Sequence, residues 1–371
     1  MTGRADAFCG LRIGAIGLLL LVCVMSFRAV AEDRQVRDDR ALGLPPAVLS
    51  RLASPVEIAT GRRLFFDQRL SRNGTVSCAT CHVPERAFSD GRPLAIGVDA
   101  QIGSRKTPSL LNVALETSEF WDGRRKTLEQ QALDPIVNPR EHGLGDLNAL
   151  TRLIRHDPEY KRAFERILGV NHKPDATDAA HALASFERTL LAGGSRFDRF
   201  QYGGDTTALT EAEQRGLQLF QGRAQCVTCH TIGHDGATFN DGEFHTLGIG
   251  FSKIESVLDR TARKVVAADP NELDKLIISD ADVAELGRFN VTKEPADIGK
   301  FKTPSLRNVA LIAPYMHDGS VKTLEDAVEM EVYFRGAEAQ HPMILTPLER
   351  ADIVAFLRSL TSPYATRFTA R

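Results

Sequence analysis

Two pentapeptides carry the most specific chemistry in this chain: Cys78-Ala79-Thr80-Cys81-His82 and Cys226-Val227-Thr228-Cys229-His230. Both are C-x-x-C-H, the spacing at which two thiols add to the vinyl groups of a haem while the adjacent imidazole reaches the iron. One copy alone could be chance or a redox dithiol. The other two cysteines, Cys9 and Cys23, lie at the extreme N-terminus. All four that remain are in the two motifs, which leaves no disulfide and no spare thiol. The pattern implies two covalently bound haem c groups, with His82 and His230 as iron ligands.

The N-terminal segment explains the two outlying cysteines. Arg4 and Arg12 precede an apolar run from Ile13 to Phe27, and Ala29-Val30-Ala31 offers a small-x-small cleavage site before Glu32. This reads as a secretory signal, residues 1–31, cut after Ala31, and places the mature protein in the periplasm. An uncleaved anchor is the alternative, although the apolar run is short for a span. Val22 before Cys23 argues against a lipoprotein signal. Length, at 371 residues, allows two or three domains, and a hydrophobic fraction of 43% supports an ordinary core. A net charge of -2 gives no reason to expect a nucleic-acid partner or stable membrane insertion.

The elements that must hold the two motifs follow in order. Residues 32–50 read as a loose arm. Ser54-Pro55-Val56-Glu57 is a capping box that opens a helix reaching about Phe66. Helices are expected near Asp157-Pro158 and Thr177-Asp178, the latter with Leu183, Phe186 and Leu190 on one face. Gly193-Gly194 and Gly203-Gly204 bracket an expected linker. Thr210-Glu211-Ala212-Glu213 and Thr346-Pro347-Leu348-Glu349 cap two more helices, the last with Ile353, Val354, Phe356, Leu357 and Leu360 inward. Strand patterns are scarce. Residues 252–286, rich in alternating charge, read as a surface helix pair or a docking surface.

An internal repeat organises all of this. Lys106-Thr107-Pro108-Ser109-Leu110 recurs as Lys302-Thr303-Pro304-Ser305-Leu306, and Asn112-Val113-Ala114-Leu115 as Asn308-Val309-Ala310-Leu311. Lys126-Thr127-Leu128-Glu129 recurs as Lys322-Thr323-Leu324-Glu325, and Phe88-Ser89-Asp90-Gly91 as Phe239-Asn240-Asp241-Gly242. The fold class is therefore mainly α, two tandem cytochrome c-like haem domains related by duplication, over 32–200 and 201–371. Trp121, the single tryptophan, stands where the second copy has His317. It suits either core packing or a relay between haems.

Phe120-Trp121-Asp122-Gly123-Arg124, then Glu129-Gln130-Gln131, Pro135 and Glu141, resembles the bacterial di-haem cytochrome c peroxidase family, which includes MauG-type enzymes. So does Phe301-Lys302-Thr303-Pro304-Ser305-Leu306-Arg307-Asn308-Val309, with Pro314-Tyr315-Met316-His317-Asp318-Gly319 behind it. The resemblance covers nearly all of the chain after the signal. It implies that the first haem meets peroxide, that the second handles electrons, and that Trp121 lies between them. It casts Glu141 as the catalytic acid-base and Gln131 as its hydrogen-bonding partner, chemistry that peroxide heterolysis needs.

Three departures from that pattern modify the expectation. Val98 stands where family members that need reductive activation have a blocking histidine, so the first haem is expected to be open, with His142 the one nearby rival. The distal ligand of the second haem, Met or Tyr in the family, counts onto Glu331. Beside it stand Met330, the preferred ligand for its thioether, and Tyr333 as the alternative. Lys106 replaces an asparagine that binds calcium, and an ammonium repels a cation, so the usual calcium site is expected to be lost or altered.

These readings converge on a peroxidase that reduces hydrogen peroxide with electrons from a small donor protein, a cytochrome c or cupredoxin. The alternative is a MauG-like enzyme that oxidises side chains of a partner protein. A non-catalytic electron carrier is the third class, and a homodimer is left open.

Overall fold

The structure, a computed structural model, describes residues 39–46, 53–338 and 343–367. The expected signal segment and its cleavage site lie outside these residues. Ala41–Arg371 forms one compact unit. Among the described residues the fold is helical, with strand confined to a two-residue antiparallel pair, β1 (Phe244–His245) and β2 (Phe301–Lys302).

Each half is built on a crossing of two helices. In the first, α1 (Pro55–Phe65) begins as expected, with the Ser54 hydroxyl accepting from Glu57 N at 3.3 Å. It crosses α5 (Ala176–Glu187), after α2 (Leu128–Val137), α3 (Leu147–His156) and α4 (Pro158–Leu168). The α5 helix starts slightly earlier than the sequence suggests, because Asp175 rather than Thr177 caps it. In the second half, α6 (Glu211–Gln221) crosses α10 (Pro347–Ser359), and both have the expected Thr210 and Thr346 capping boxes. Between them run α7 (Leu258–Ala267), α8 (Pro270–Ser279) and α9 (Leu324–Glu338).

The crossings are close because a glycine sits at each. A Cβ on Gly61 would lie 1.7 Å from Ala182 O, and one on Gly216 would lie 2.0 Å from Asp352 O. Two aromatic-rich cores grow from these contacts. Phe65, Phe88, Phe164 and Leu183 fill the first. Phe197, Phe220, Phe239 and Phe356 fill the second. The duplication extends to backbone dihedrals: Asn112 and Asn308 have φ of 61° and 62°, and Phe88 and Phe239 have 56° and 52°.

Three local expectations change. The glycine-bracketed segment is no free linker, since it holds a short helix, Arg196–Gln201, with Phe197 and Asp198 fully buried. Phe197 packs edge-on to Phe239 and Phe356, and Asp198 takes both Arg307 Nη1 and Nη2 at 2.9 Å. The end of the N-terminal arm is tied down as well: Gly194 N donates to Leu42 O at 3.0 Å and Ala237 N to Gly43 O at 2.9 Å. Residues 252–286 form helices, as expected, yet they are more than a solvated pair. They enclose their own core of Ile254, Val265, Ile277 and Val283. They also grip the first half, Ser104 Oγ donating to Ile277 O at 2.7 Å, Arg105 Nη2 to Ala284 O at 2.8 Å, and Arg124 Nε pairing with Asp274 at 3.0 Å.

Candidate active site

Each C-x-x-C-H is a short helical turn whose histidine is oriented by a carbonyl from the following loop. Ser77 N donates to Thr80 Oγ1 at 3.0 Å, closing a capping box around Cys78–Cys81. His82 Nδ1–H donates to Phe88 O at 3.0 Å, and His230 Nδ1–H to Phe239 O at 2.9 Å. The left-handed φ at both phenylalanines lies in the loops that bring these carbonyls round. With Nδ1 carrying the proton, Nε2 keeps its lone pair for a metal. Burial lowers both imidazole pKa values, that of His230 to about 4, so both rings are neutral.

One continuous cavity is lined by both cysteine pairs and both histidines. Aliphatic side chains complete its walls, Leu110 and Leu183 at one end, Leu306 and Ile353 at the other. Paired thiols, an oriented neutral imidazole and an apolar cleft at each end fit a haem c at each motif.

Around the first motif, Gln131, Pro135, Glu141 and His142 line the cavity. Gln131 and Pro135 share a face of α2, four residues apart. The Glu141 backbone is fixed on both sides, its N–H donating to Asn138 O at 3.1 Å and its carbonyl accepting from Val98 N at 2.8 Å. Gly97 permits that approach, since a Cβ there would lie 2.1 Å from Arg140 O and 2.6 Å from Glu141 O. Burial pushes the Glu141 carboxyl up to about 7, against an opposing pull from Arg124. His142 Nδ1–H donates to Leu70 O at 3.1 Å, and burial drops its pKa to about 4. Val98 is fully buried and stands off the cavity wall; its role in the structure is to support the Glu141 turn.

Trp121 also lines the cavity, in the stretch that joins the two ends. Its indole N–H donates to Lys106 O at 2.9 Å. The repeat produces reciprocal ties here: Lys106 N donates to His317 O and Lys302 N to Trp121 O, each at 2.8 Å. The Lys106 ammonium is buried, donating to Ser89 Oγ at 2.9 Å and Thr107 O at 3.1 Å, and burial lowers its pKa to about 8. His317 stacks on Phe301 with centroids 3.6 Å apart and contacts Glu285 Oε2 at 2.7 Å. Lys253 reaches both Glu285 (3.1 Å) and Asp318 (2.5 Å), so the 252–286 segment clamps this interface.

At the second motif the geometry sorts the proposed ligands. The α9 face that lines the cavity is Leu324, Ala327, Val328, Glu331, Val332 and Arg335. Met330 points off that face and packs against the second core, and Tyr333 is 72% exposed. Neither lines the cavity, whereas Glu331 does. Met330, preferred on thioether chemistry, therefore lies one position off the cavity face of the helix, and Glu331 lies on it. Sequence reasoning gave no role to Arg335, seen only as part of the Tyr333-Phe334-Arg335-Gly336 stretch that resembles a family motif. The Arg335 Nη2 donates to Cys229 Sγ at 2.8 Å. Also passed over was the buried Glu187, whose pKa burial raises to about 8. The 3.6-residue spacing from Leu324 and Val328 was the signal available for the α9 face.

A duplicated helical chain with two such mounts on one cavity is a di-haem c-type cytochrome. A family model described as "Di-haem cytochrome c peroxidase" matches residues 55–207, and one described as "Cytochrome c" matches 213–361. Methylamine utilization protein MauG of Methylorubrum extorquens is 35% identical over 314 residues, 83% of this chain and 78% of that protein. Cytochrome c551 peroxidase of Nitrosomonas europaea is 34% identical over 305 residues, 81% of this chain and 78% of that one. A crystal structure of a MauG-like protein associated with microbial copper homeostasis matches with a TM-score of 0.69 at 32% identity, covering 86% of this chain and 94% of the other. The chain belongs to the di-haem cytochrome c peroxidase and MauG family.

Proposed function

We propose that the chain is a periplasmic di-haem peroxidase that reduces hydrogen peroxide to two waters, with two electrons from a small donor protein and two protons. A haem held by Cys78, Cys81 and His82 supplies the redox chemistry for breaking the O–O bond. Glu141 takes the proton from one peroxide oxygen and returns it to the other, as a carboxyl with a pKa near neutrality can do. The Gln131 amide orients the peroxide by hydrogen bonding. The aliphatic walls keep bulk water from competing. Trp121 carries electrons between the two ends of the cavity. Among the described residues no helix is long and apolar enough to cross a membrane.

The observation that carries this reading is the half-buried Glu141 carboxyl, with its raised pKa, on the same cavity as His82. Peroxide turnover by the two-haem protein with a reduced cytochrome c or cupredoxin tests it. Turnover lost in Glu141→Gln with haem content unchanged is the expected result; unchanged turnover overturns the assignment. A high-spin ferric signal in the protein as isolated checks that the first haem is open, because Val98 offers no ligand atom. The MauG-like reading is favoured by the cavity face of α9, which presents a carboxylate instead of a thioether. A mass change in a co-purified partner after peroxide treatment would select it. The buried Lys106 ammonium fills the place of a cation, so chelators are expected to leave activity unchanged.

A further inference from the structure

The two copies place equivalent helices, α2 and α9, along the two ends of the cavity, and their registers correspond residue by residue. Lys126-Thr127-Leu128-Glu129 aligns with Lys322-Thr323-Leu324-Glu325. Continuing without a gap, Gln131 matches Ala327, Ala132 matches Val328 and Pro135 matches Glu331. Leu128, Gln131, Ala132 and Pro135 all line the cavity at the first end. Their partners Leu324, Ala327, Val328 and Glu331 all line it at the second. The helix face is thus conserved between copies while the chemistry at its fourth position changes, from a residue with no side-chain donor atom to a carboxylate.

We propose that the Glu331 carboxylate is the distal ligand of the iron held by His230, and that Pro135 at the matching position leaves the first iron open. The proposal rests on the di-haem reading above. The α9 face otherwise offers aliphatic groups and the Arg335 guanidinium, which has no lone pair for a metal. Arg335 ties the carboxylate to the haem mount. It lies 3.7 Å from Glu331, donates to Gln225 O at 3.1 Å and Thr228 Oγ1 at 3.2 Å, and reaches Cys229 Sγ. A hard anionic oxygen favours ferric over ferrous iron, so the second haem has a lower potential than a thioether would give. It suits a site that holds an oxidising equivalent better than one that passes electrons downhill from a donor.

Other cavity-lining side chains with soft or nitrogen donors are Met343, from the segment before α10, His245 on β1, Met316, and His317, whose Nε2 is already engaged by Glu285 at 2.7 Å. The test separates them. The full holoprotein is examined oxidised, by near-infrared magnetic circular dichroism, electron paramagnetic resonance and redox titration, with haem content checked for every variant. The wild type is expected to lack a thioether-to-iron charge-transfer band. Glu331→Gln is expected to change the signature of one haem and raise its potential, Glu331→Met to create the thioether band, and Met343→Leu to change nothing. A thioether band in the wild type, a signature lost in Met343→Leu, Met316→Leu or His245→Gln, or a Glu331→Gln spectrum superimposable on the wild type each overturns the proposal. If Glu331 variants fail to take up haem, the wild-type spectrum and the Met343, Met316 and His245 variants still decide it. Failure of the underlying reading is visible separately, as fewer than two haems per chain or no peroxide turnover in the wild type.

Discussion

Glu141 is one carboxylate among 48 acidic residues, and its surroundings alone are what support the proton-shuttle role proposed for it. Burial raises its pKa to about 7, so the acid form dominates below neutrality and the base form above. Taking the first proton from peroxide needs the base. The rate constant at low peroxide is therefore expected to climb between about pH 6 and about pH 8 and then level off. In Glu141→Gln the profile should be flat and ~10²- to 10⁴-fold lower, read by stopped-flow at each pH. Glu187 makes a second prediction, this time for stability. Burial raises its pKa to about 8, helped by the nearby Glu119 carboxyl, and Oε2 has no hydrogen-bond partner. A carboxyl raised on folding holds its proton more tightly in the native state. Its contribution is complete below the ordinary glutamate range and is lost as pH rises from about 4.5 to about 8. Glu119 and Glu141, both raised to about 7, act in the same direction. Thermal melts across that window should decline less steeply in Glu187→Gln than in the wild type.

At the scale of elements, the repeat made much of the architecture legible before any coordinates. Side-chain caps at Ser54, Thr210 and Thr346 mark helix starts by a local rule, side-chain oxygen to backbone N–H; the full box forms at the two threonines but not at Ser54, where Glu57 Oε1 accepts from Ser185 Oγ at 2.9 Å instead. The final helix was readable for a similar reason, since Ile353, Val354, Phe356, Leu357 and Leu360 fall on one face by period alone. Other features depend on what an element meets. Gly193-Gly194 and Gly203-Gly204 look like linker punctuation, yet Phe197 and Asp198 between them are anchored by residues more than forty positions away. Met330 and Glu331 differ by one position on α9, which is a rotation of about 100° and the difference between core and cavity. Chemical preference favoured the first, and register puts the second on the cavity. Gly61 and Gly216 were likewise unremarked in sequence, because a helical glycine has no signature until a second helix crosses it. Gly216→Ala must push α6 off the Asp352 carbonyl 2.0 Å from the new Cβ. The expected cost is about 1–3 kcal/mol, measured by denaturant titration, and Gly61→Ala should behave the same way at the other crossing. Since α6 leads into the second haem mount, the Gly216 variant should also disturb the second haem's spectrum before the first.

Across the whole molecule, duplication has produced two similar ends of one cavity and then made them unequal. The reciprocal bonds from Lys106 to His317 and from Lys302 to Trp121 keep the joining loops in register. At those matched positions the side chains diverge. Trp121 faces the cavity with its N–H satisfied by Lys106 O, so the ring is held in one orientation. His317 is stacked on Phe301 and gripped by Glu285 from the 252–286 segment. That segment was ambiguous in sequence because its charges, Asp274 and Glu285 among them, have no visible partners until the fold brings Arg124 and His317 to them. With the interface clamped this firmly, the indole can be altered without parting the two halves. Trp121→Phe keeps an aromatic filler and loses only the N–H bond and the larger, more easily oxidised ring. Both haems and the melting temperature should be nearly unchanged. The first peroxide-dependent spectral change, made at the His82 end, should keep its rate. The slower change at the His230 end should fall by at least tenfold, and steady turnover with it. Rapid-mixing spectra resolve the two phases. If both keep their wild-type rates, electrons do not pass through Trp121, and the Phe301–His317 stack becomes the route to test by substituting Phe301 with leucine.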